Sequence, residues 1–312
     1  MFGFMSRRAA AALVLGLAAA TAPGVATAQS FDLSPEQPGR PRAEKVEAIA
    51  AAVPKDFRFI EDGVLTVAIA PGQPPIATYA TDARTVIGAD PDLIQLVADL
   101  LGLKLKIVAV AWADWPLGLS SGKYDAVISN VGVTEERKQR FDFSTYRKGL
   151  HGFYVKSGSP ITAIREPKDI AGLRIITSSG TIQEKILLEW DRQNRAQGLA
   201  PAELQYYDDE AAWNLAVQSG RADAMFSVNA ALAYQAAREG NLKQVGTVSA
   251  GWPLTAETGI TTRRGSGLAD PLTAALNELI ADGRYAAVLA RWNLTAEAVD
   301  RSRTNPPGLP KF

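Results

Sequence analysis

The chain has no cysteine among its 312 residues, which excludes disulfides, thiolate metal sites and cysteine nucleophiles. Histidine occurs once, at His151, leaving almost no scope for a zinc site or a Ser-His-Asp relay. No metal, no cofactor and no catalytic residue are expected. Net charge is also absent: 33 basic residues balance 33 acidic ones, and a pI near 6.6 gives no reason to expect a nucleic acid partner. After the N-terminus no apolar run is long enough to span a bilayer. The length allows two domain-sized units, each with a core of its own.

Residues 1–28 carry the pattern of an export signal. Arg7 and Arg8 supply the positive region, Ala9 to Ala22 the apolar region, and Ala26-Thr27-Ala28 the cleavage site. No cysteine stands at that site, so no lipid anchor is expected and the mature chain should be a periplasmic protein, not a lipoprotein. Its loss would leave 31 basic against 33 acidic residues. Residues 29–60 read as a leader: Pro35, Pro38 and Pro41 predict a mobile segment, and Ala43 to Ala52 a short helix stopped by Pro54.

Ser121 to Ser144 organises the remainder. Its first part, S-G-K-Y-D-A-V-I-S, ends a helix at Gly122 and starts a buried strand from Asp125 to Ser129. Small and polar residues follow, then Thr134-Glu135-Glu136-Arg137, where the carboxyl ends of strands in open α/β sheets receive ligands. An arginine placed there can grip a carboxylate with two parallel hydrogen bonds. The unit recurs as S-G-R-A-D-A-M-F-S from Ser219 to Ser227, which predicts two similar α/β lobes with a cleft between them.

Other elements fit this plan. Val64 to Ile69 predicts a strand followed by the A-P-G-Q-P-P-I loop; Asp90-Pro91 predicts a helix start with Asp90 as its cap. Strands are expected at Leu105 to Val110, His151 to Lys156, Leu173 to Thr177, Leu204 to Tyr207, Asp223 to Ser227, Gln244 to Val248 and Glu257 to Thr262. Thr181 and Glu184 have capping-box spacing for a helix reaching Ala196, whose exposed N–H groups favour an anion. Leu268 to Ile280 and Arg284 to Trp292 read as closing helices.

These motifs in this order resemble the family 3 extracellular solute-binding proteins, the receptors of polar amino acid ABC transporters. The ordered set is P-P-I, G-A-D-P-D-L, S-G-K-Y-D, T-E-E-R-K-Q-R-F-D-F-S, S-S-G-T, S-G-R-A-D-A, D-G-R-Y and R-W-N, over Leu65 to Asn293. The resemblance implies a type II periplasmic binding protein-like fold, two α/β lobes joined by two crossing strands. Lobe 1 would comprise 61–154 and 256–312, and lobe 2 would comprise 155–255. It also implies a monomer that closes on a small ligand and delivers it to a membrane permease.

Carried over residue by residue, Arg137 pairs with the ligand α-carboxylate, and Asn130 and Gly132 lie on the backbone beneath it. Ser179 and Thr181 belong to the carboxylate-binding turn of lobe 2, and Trp112 walls the pocket. Departures from the pattern bear on the ligand. Gln73 stands where an aromatic is common, Gly132 replaces a hydroxyl residue, and Ala70 replaces an acid used for cationic side chains. Val228-Asn229 occupies the place of the acid that pairs with an α-ammonium. An amino acid or a related small carboxylate is expected, with lysine and arginine disfavoured. The alternative is a cleft enzyme of the same fold, such as a cyclohexadienyl-type dehydratase, for which Glu184, Glu257 and His151 offer acid or base groups.

Overall fold

A computed structural model describes Met1, residues 31–207 and residues 209–310. The expected export signal lies outside the described residues apart from Met1. The strands are β1 (Val64–Ile69), β2 (Thr78–Tyr79), β3 (Val86–Ile87), β4 (Lys104–Ala109), β5 (Ala126–Val127), β6 (Phe141–Lys148), β7 (Leu150–Lys156), β8 (Arg174–Thr177), β9 (Glu203–Tyr206), β10 (Ala224–Val228), β11 (Leu242–Ser249) and β12 (Glu257–Arg263). The helices are α1 (Glu47–Ala50), α2 (Ala89–Leu101), α3 (Trp115–Ser120), α4 (Glu135–Lys138), α5 (Ile182–Ala196), α6 (Glu210–Gln218), α7 (Asn229–Glu239), α8 (Ala269–Ala281) and α9 (Arg284–Arg291).

The strands form two five-stranded sheets, ordered β4-β1-β5-β12-β6 and β11-β7-β10-β8-β9, with β2 and β3 as a separate hairpin. β1 is parallel to both of its neighbours and buried at all six positions, as its continuous apolar run requires when both faces are covered. Leu93, Leu96, Val97 and Leu100 of α2 pack into the same core, each at most 1% exposed. α2 ends at Gly102, whose φ of 69° is the left-handed turn that glycine adopts without steric cost.

The sequence repeat does the same work in each lobe. Asp125 N–H donates to Thr66 O, and its carboxylate takes the Thr66 N–H, both at 2.8 Å. Asp223 N–H donates to Arg174 O, and its carboxylate takes the Arg174 N–H, again at 2.8 Å for both. Each aspartate therefore pins the start of a short central strand to the strand beside it, and Gly122 and Gly220 make the preceding turn at φ 75° and 73°.

The chain changes sheet between β6 and β7, at Gly149, and returns between β11 and β12. The expected bounds put residues 151–154 of β7 in lobe 1, but the whole strand is antiparallel to β10 and β11 inside the second sheet. The two crossings touch: Ala250 N–H donates to Gly149 O at 3.0 Å, and a Cβ on Gly149 would meet the Ala250 Cβ at 2.5 Å. Glycine is required there because two backbones pass at contact distance.

Two segments differ from expectation. The leader from Phe31 onward is anchored on the first lobe, not mobile. Arg42 makes a two-pronged contact with Asp99 at 2.6 and 2.7 Å, Arg40 reaches Asp92 at 2.6 Å, and Phe31 and Leu33 pack on the core. Its proline content limits regular structure but not docking. The tail runs along the edge of β6, with Thr145 N–H donating to Arg303 O and Asn305 N–H to Phe143 O. It then inserts Leu309, 2% exposed, into the apolar cluster of the second lobe.

Candidate functional site

The residues that converge between the sheets come from three stretches of the chain, 112–115, 130–137 and 178–185. Arg137 lies in α4, a one-turn helix capped by Thr134, whose hydroxyl oxygen accepts the Arg137 N–H at 3.0 Å. Its guanidinium donates to Gly132 O at 3.0 Å and, across the cleft, to Gly180 O at 3.4 Å. The guanidinium carbon lies 5.7 Å from the ring centres of both Trp112 and Trp115, within cation–π range. Crowding by protein lowers the Arg137 pKa to about 10, with Glu136 opposing, so the group remains a cation at neutral pH.

The facing wall is the start of α5. Thr181 caps it: its hydroxyl accepts the Glu184 N–H at 3.2 Å and donates to Ser178 O at 2.6 Å. Glu184 reaches back to the Gly180 N–H at 2.7 Å, one residue earlier than capping-box spacing predicts. Ser179 is exposed beside this turn. The lobes meet here: a Cβ on Gly132 would lie 2.3 Å from Ile182 Cδ1, and Lys185 of α5 pairs with Glu136 of α4. Gly132 leaves the space that Ile182 enters.

Beneath the arginine lies a buried polar network. Asn130 has a φ of 54°, in the left-handed region that asparagine tolerates better than most residues. Its N–H is shared between Asp90 Oδ2 at 3.2 Å and the Tyr146 hydroxyl at 3.1 Å, while its side-chain oxygen accepts from Arg147. Arg147 also pairs with Glu297, and both are buried. Burial raises the Asp90 pKa to about 6 against the lowering influence of Arg147 and its hydrogen bonds. Burial likewise raises that of Glu297. Asp90 is an inner residue of α2, preceded by Gly88 as N-cap, so its carboxylate serves Asn130 rather than the helix start. Nearby His151 is 3% exposed with both ring nitrogens unpartnered; burial, then Arg147, drives its pKa down to about 3, and it is neutral.

The structure thus gathers Trp112, Gly132, Arg137 and Thr181 around one point, with Asn130 underneath. Gln73 sits on the loop after β1, partly exposed. Asn229 turns elsewhere: its side-chain oxygen accepts from the Tyr154 hydroxyl at 3.2 Å and Gln244 Nε2 at 2.5 Å. Val228, the last residue of β10, packs against the core of the first lobe. No carboxylate occupies either position. Sequence reasoning missed Trp115 and Ile182, which look like core residues, and the Asp90-Tyr146-Arg147-Glu297 network. An arginine inside a strand, at Arg147, was the one visible sign of that network.

Residues 65–295 match the family model for bacterial extracellular solute-binding proteins, family 3, and the chain belongs to that family. The L-cystine-binding protein TcyJ of Escherichia coli (strain K12) is 29% identical over 239 residues, 74% of this chain and 83% of that protein. A solved structure, an ancestral arginine-binding protein bound to arginine, is 26% identical with a TM-score of 0.65, covering 76% of this chain and 99% of that one. The cyclohexadienyl dehydratase of Pseudomonas aeruginosa is 28% identical over 137 residues, 41% of this chain and 48% of the enzyme. The type II two-lobed fold and the solute-binding class follow. No helix among the described residues is long and apolar enough to cross a membrane.

Proposed function

We propose that the chain is a monomeric periplasmic receptor that captures an amino acid or related small carboxylate between its lobes and presents it to an ABC transporter permease. The observation that carries this reading is Arg137: a cation at the strand-end side of one sheet that reaches Gly180 O on the other, beside a helix N-terminus. A carboxylate entering there exchanges two neutral carbonyl acceptors for a charge-assisted, two-pronged bond. It also gains the N–H groups at the start of α5. The lobes are the units around the two sheets, hinged at Gly149 and at residues 250–256, and ligand favours closure by the difference in its affinity for the two forms.

The absence of an acid at Val228 and Asn229 tilts the ligand toward carboxylates whose amine, if present, is held by neutral acceptors. Retention rather than turnover is favoured because each candidate acid has a structural partner: Glu184 holds the Gly180 N–H, and Glu257 is paired through Oε1 with Arg303, while His151 is buried.

Calorimetry of the purified, ligand-stripped chain against amino acids and small organic acids tests the proposal, after triage by thermal shift. Ligand at ~100 times its Kd adds about 2.7 kcal/mol to stability. Binding of a carboxylate that disappears in Arg137→Ala is expected. Unchanged affinity in that variant would remove Arg137 from the site, and conversion of a cyclic acid to product would favour the enzyme.

A further inference from the structure

A cavity of about 470 Å³ lies between the sheets on the α7 side; Asn229 and Pro75 are among its lining residues, but none of Trp112, Gly132, Arg137 or Thr181 is. Both crossing segments contribute, through Gly149 and Leu150 and through Thr255 and Ala256, so any change in the angle between the sheets reshapes it. One wall is a single face of α7: Ala230, Ala233, Tyr234 and Ala237 follow helical spacing, and three alanines in four positions leave a flat recess. Phe31 of the leader closes another side. Its ring is stacked on Tyr234 at 5.4 Å and lies 5.1 Å from Trp292, so it touches both lobes.

The lining is mainly apolar, with one buried carboxylate, Glu297, 8% exposed. Arg147 takes its Oε2, and no donor among the described residues takes Oε1. The ion pair already balances its charge, so the open oxygen calls for a neutral hydrogen-bond donor, not a cation. A volume in the range of small-molecule sites, aromatic walls beside an alanine face, and the open Glu297 oxygen define the chemistry of an occupant, with Lys148, Asn229, Asn293, Ser249 and Thr255 as the other polar lining residues.

We propose that this cavity is a second ligand site, distinct from the Arg137 cleft, that takes a compact neutral aromatic molecule bearing one hydrogen-bond donor, a phenol or an indole. The ring lies against α7 and Phe31, and its O–H or N–H donates to Glu297.

Para-fluorophenol is the probe, titrated into the full chain and followed by fluorine NMR and calorimetry, with toluene as the donor-free comparison. Saturable one-to-one binding is expected, with toluene at least ~10-fold weaker for want of the donated hydrogen bond. Ala233→Trp fills the recess and abolishes binding; Ala230→Leu does so independently should the tryptophan variant not fold. Arg137→Ala binds the phenol as the parent does, whether or not Arg137 grips a carboxylate. The site is refuted by the absence of saturable binding, by equal affinity for toluene, or by binding that survives in a folded, filled variant. Loss of the phenol in Arg137→Ala would also refute it, by making the two sites one.

Discussion

His151 and Asp90 are both buried within the field of Arg147, and their titrations act on stability with opposite sign. In the unfolded chain His151 takes a proton near pH 6.5; in the folded protein burial and Arg147 delay this to about 3. Between those values the unfolded state binds more protons. The stability contributed by neutral His151 is present above 6.5 and is lost as pH falls toward 3, at about 1.4 kcal/mol per pH unit. Asp90 behaves in reverse. Its pKa rises from 3.8 to about 6, so its contribution is fully present below 3.8 and is lost as pH rises through 6. Over the shared window the two slopes largely cancel, and the parent shows little net dependence from this pair. Single variants expose each slope. Relative to the parent, His151→Leu gains about 2.5 kcal/mol between pH 6 and pH 4, and Asp90→Asn loses about 2 kcal/mol over the same span. Urea unfolding followed by tryptophan fluorescence at a series of pH values measures both, with the double variant expected to track the parent. Difference curves that are flat, or that move in the same direction, would refute the assignment of these two groups.

Three further outcomes follow from the packing. Glu297→Gln leaves the Arg147 cation buried without its counter-ion and is expected to cost about 3–5 kcal/mol in urea unfolding, most of it recovered when Arg147→Met and Glu297→Leu are combined. Gly132→Ala places a methyl group 2.3 Å from Ile182 Cδ1, which should shift the protein toward the open form. Solution scattering would read that shift as a larger radius of gyration, reversed by Ile182→Ala. Leu309→Ala removes a tail side chain buried in the apolar cluster of the second lobe, and the expected loss is about 2–5 kcal/mol by chemical denaturation.

Much of the architecture was legible in the sequence because its causes are local. The apolar run at Val64 to Ile69, the helical spacing from Leu93 to Leu101 with Gly102 behind it, and the Thr181 cap each need only a few neighbouring residues to declare themselves. The repeated S-G-x-x-D unit announced two lobes, since a helix stop, a left-handed glycine and a strand-pinning aspartate lie within five residues. Arg137 also stood out in the sequence, as a guanidinium placed after a short buried strand, and packing sets it between the sheets with contacts to Gly132 O and Gly180 O.

What the tertiary structure alone decided rests on partners far apart in the chain. Arg40 and Arg42 dock the leader on aspartates 52 and 57 residues away, so its prolines told of irregularity and nothing of attachment. Glu297 meets Arg147 across 150 residues, and this pairing turns Asn130 from a surface amide into the top of a buried network. Whether Val228 or Asn229 faces the cleft is a matter of where β10 ends and α7 begins. Which sheet holds His151 was likewise fixed by strand pairing with β10 and β11, which no local pattern around His151 encodes. Sequence determined the elements and the charge that can grip a carboxylate; long-range packing determined which side chains surround it, because burial and pairing are properties of the assembled lobes.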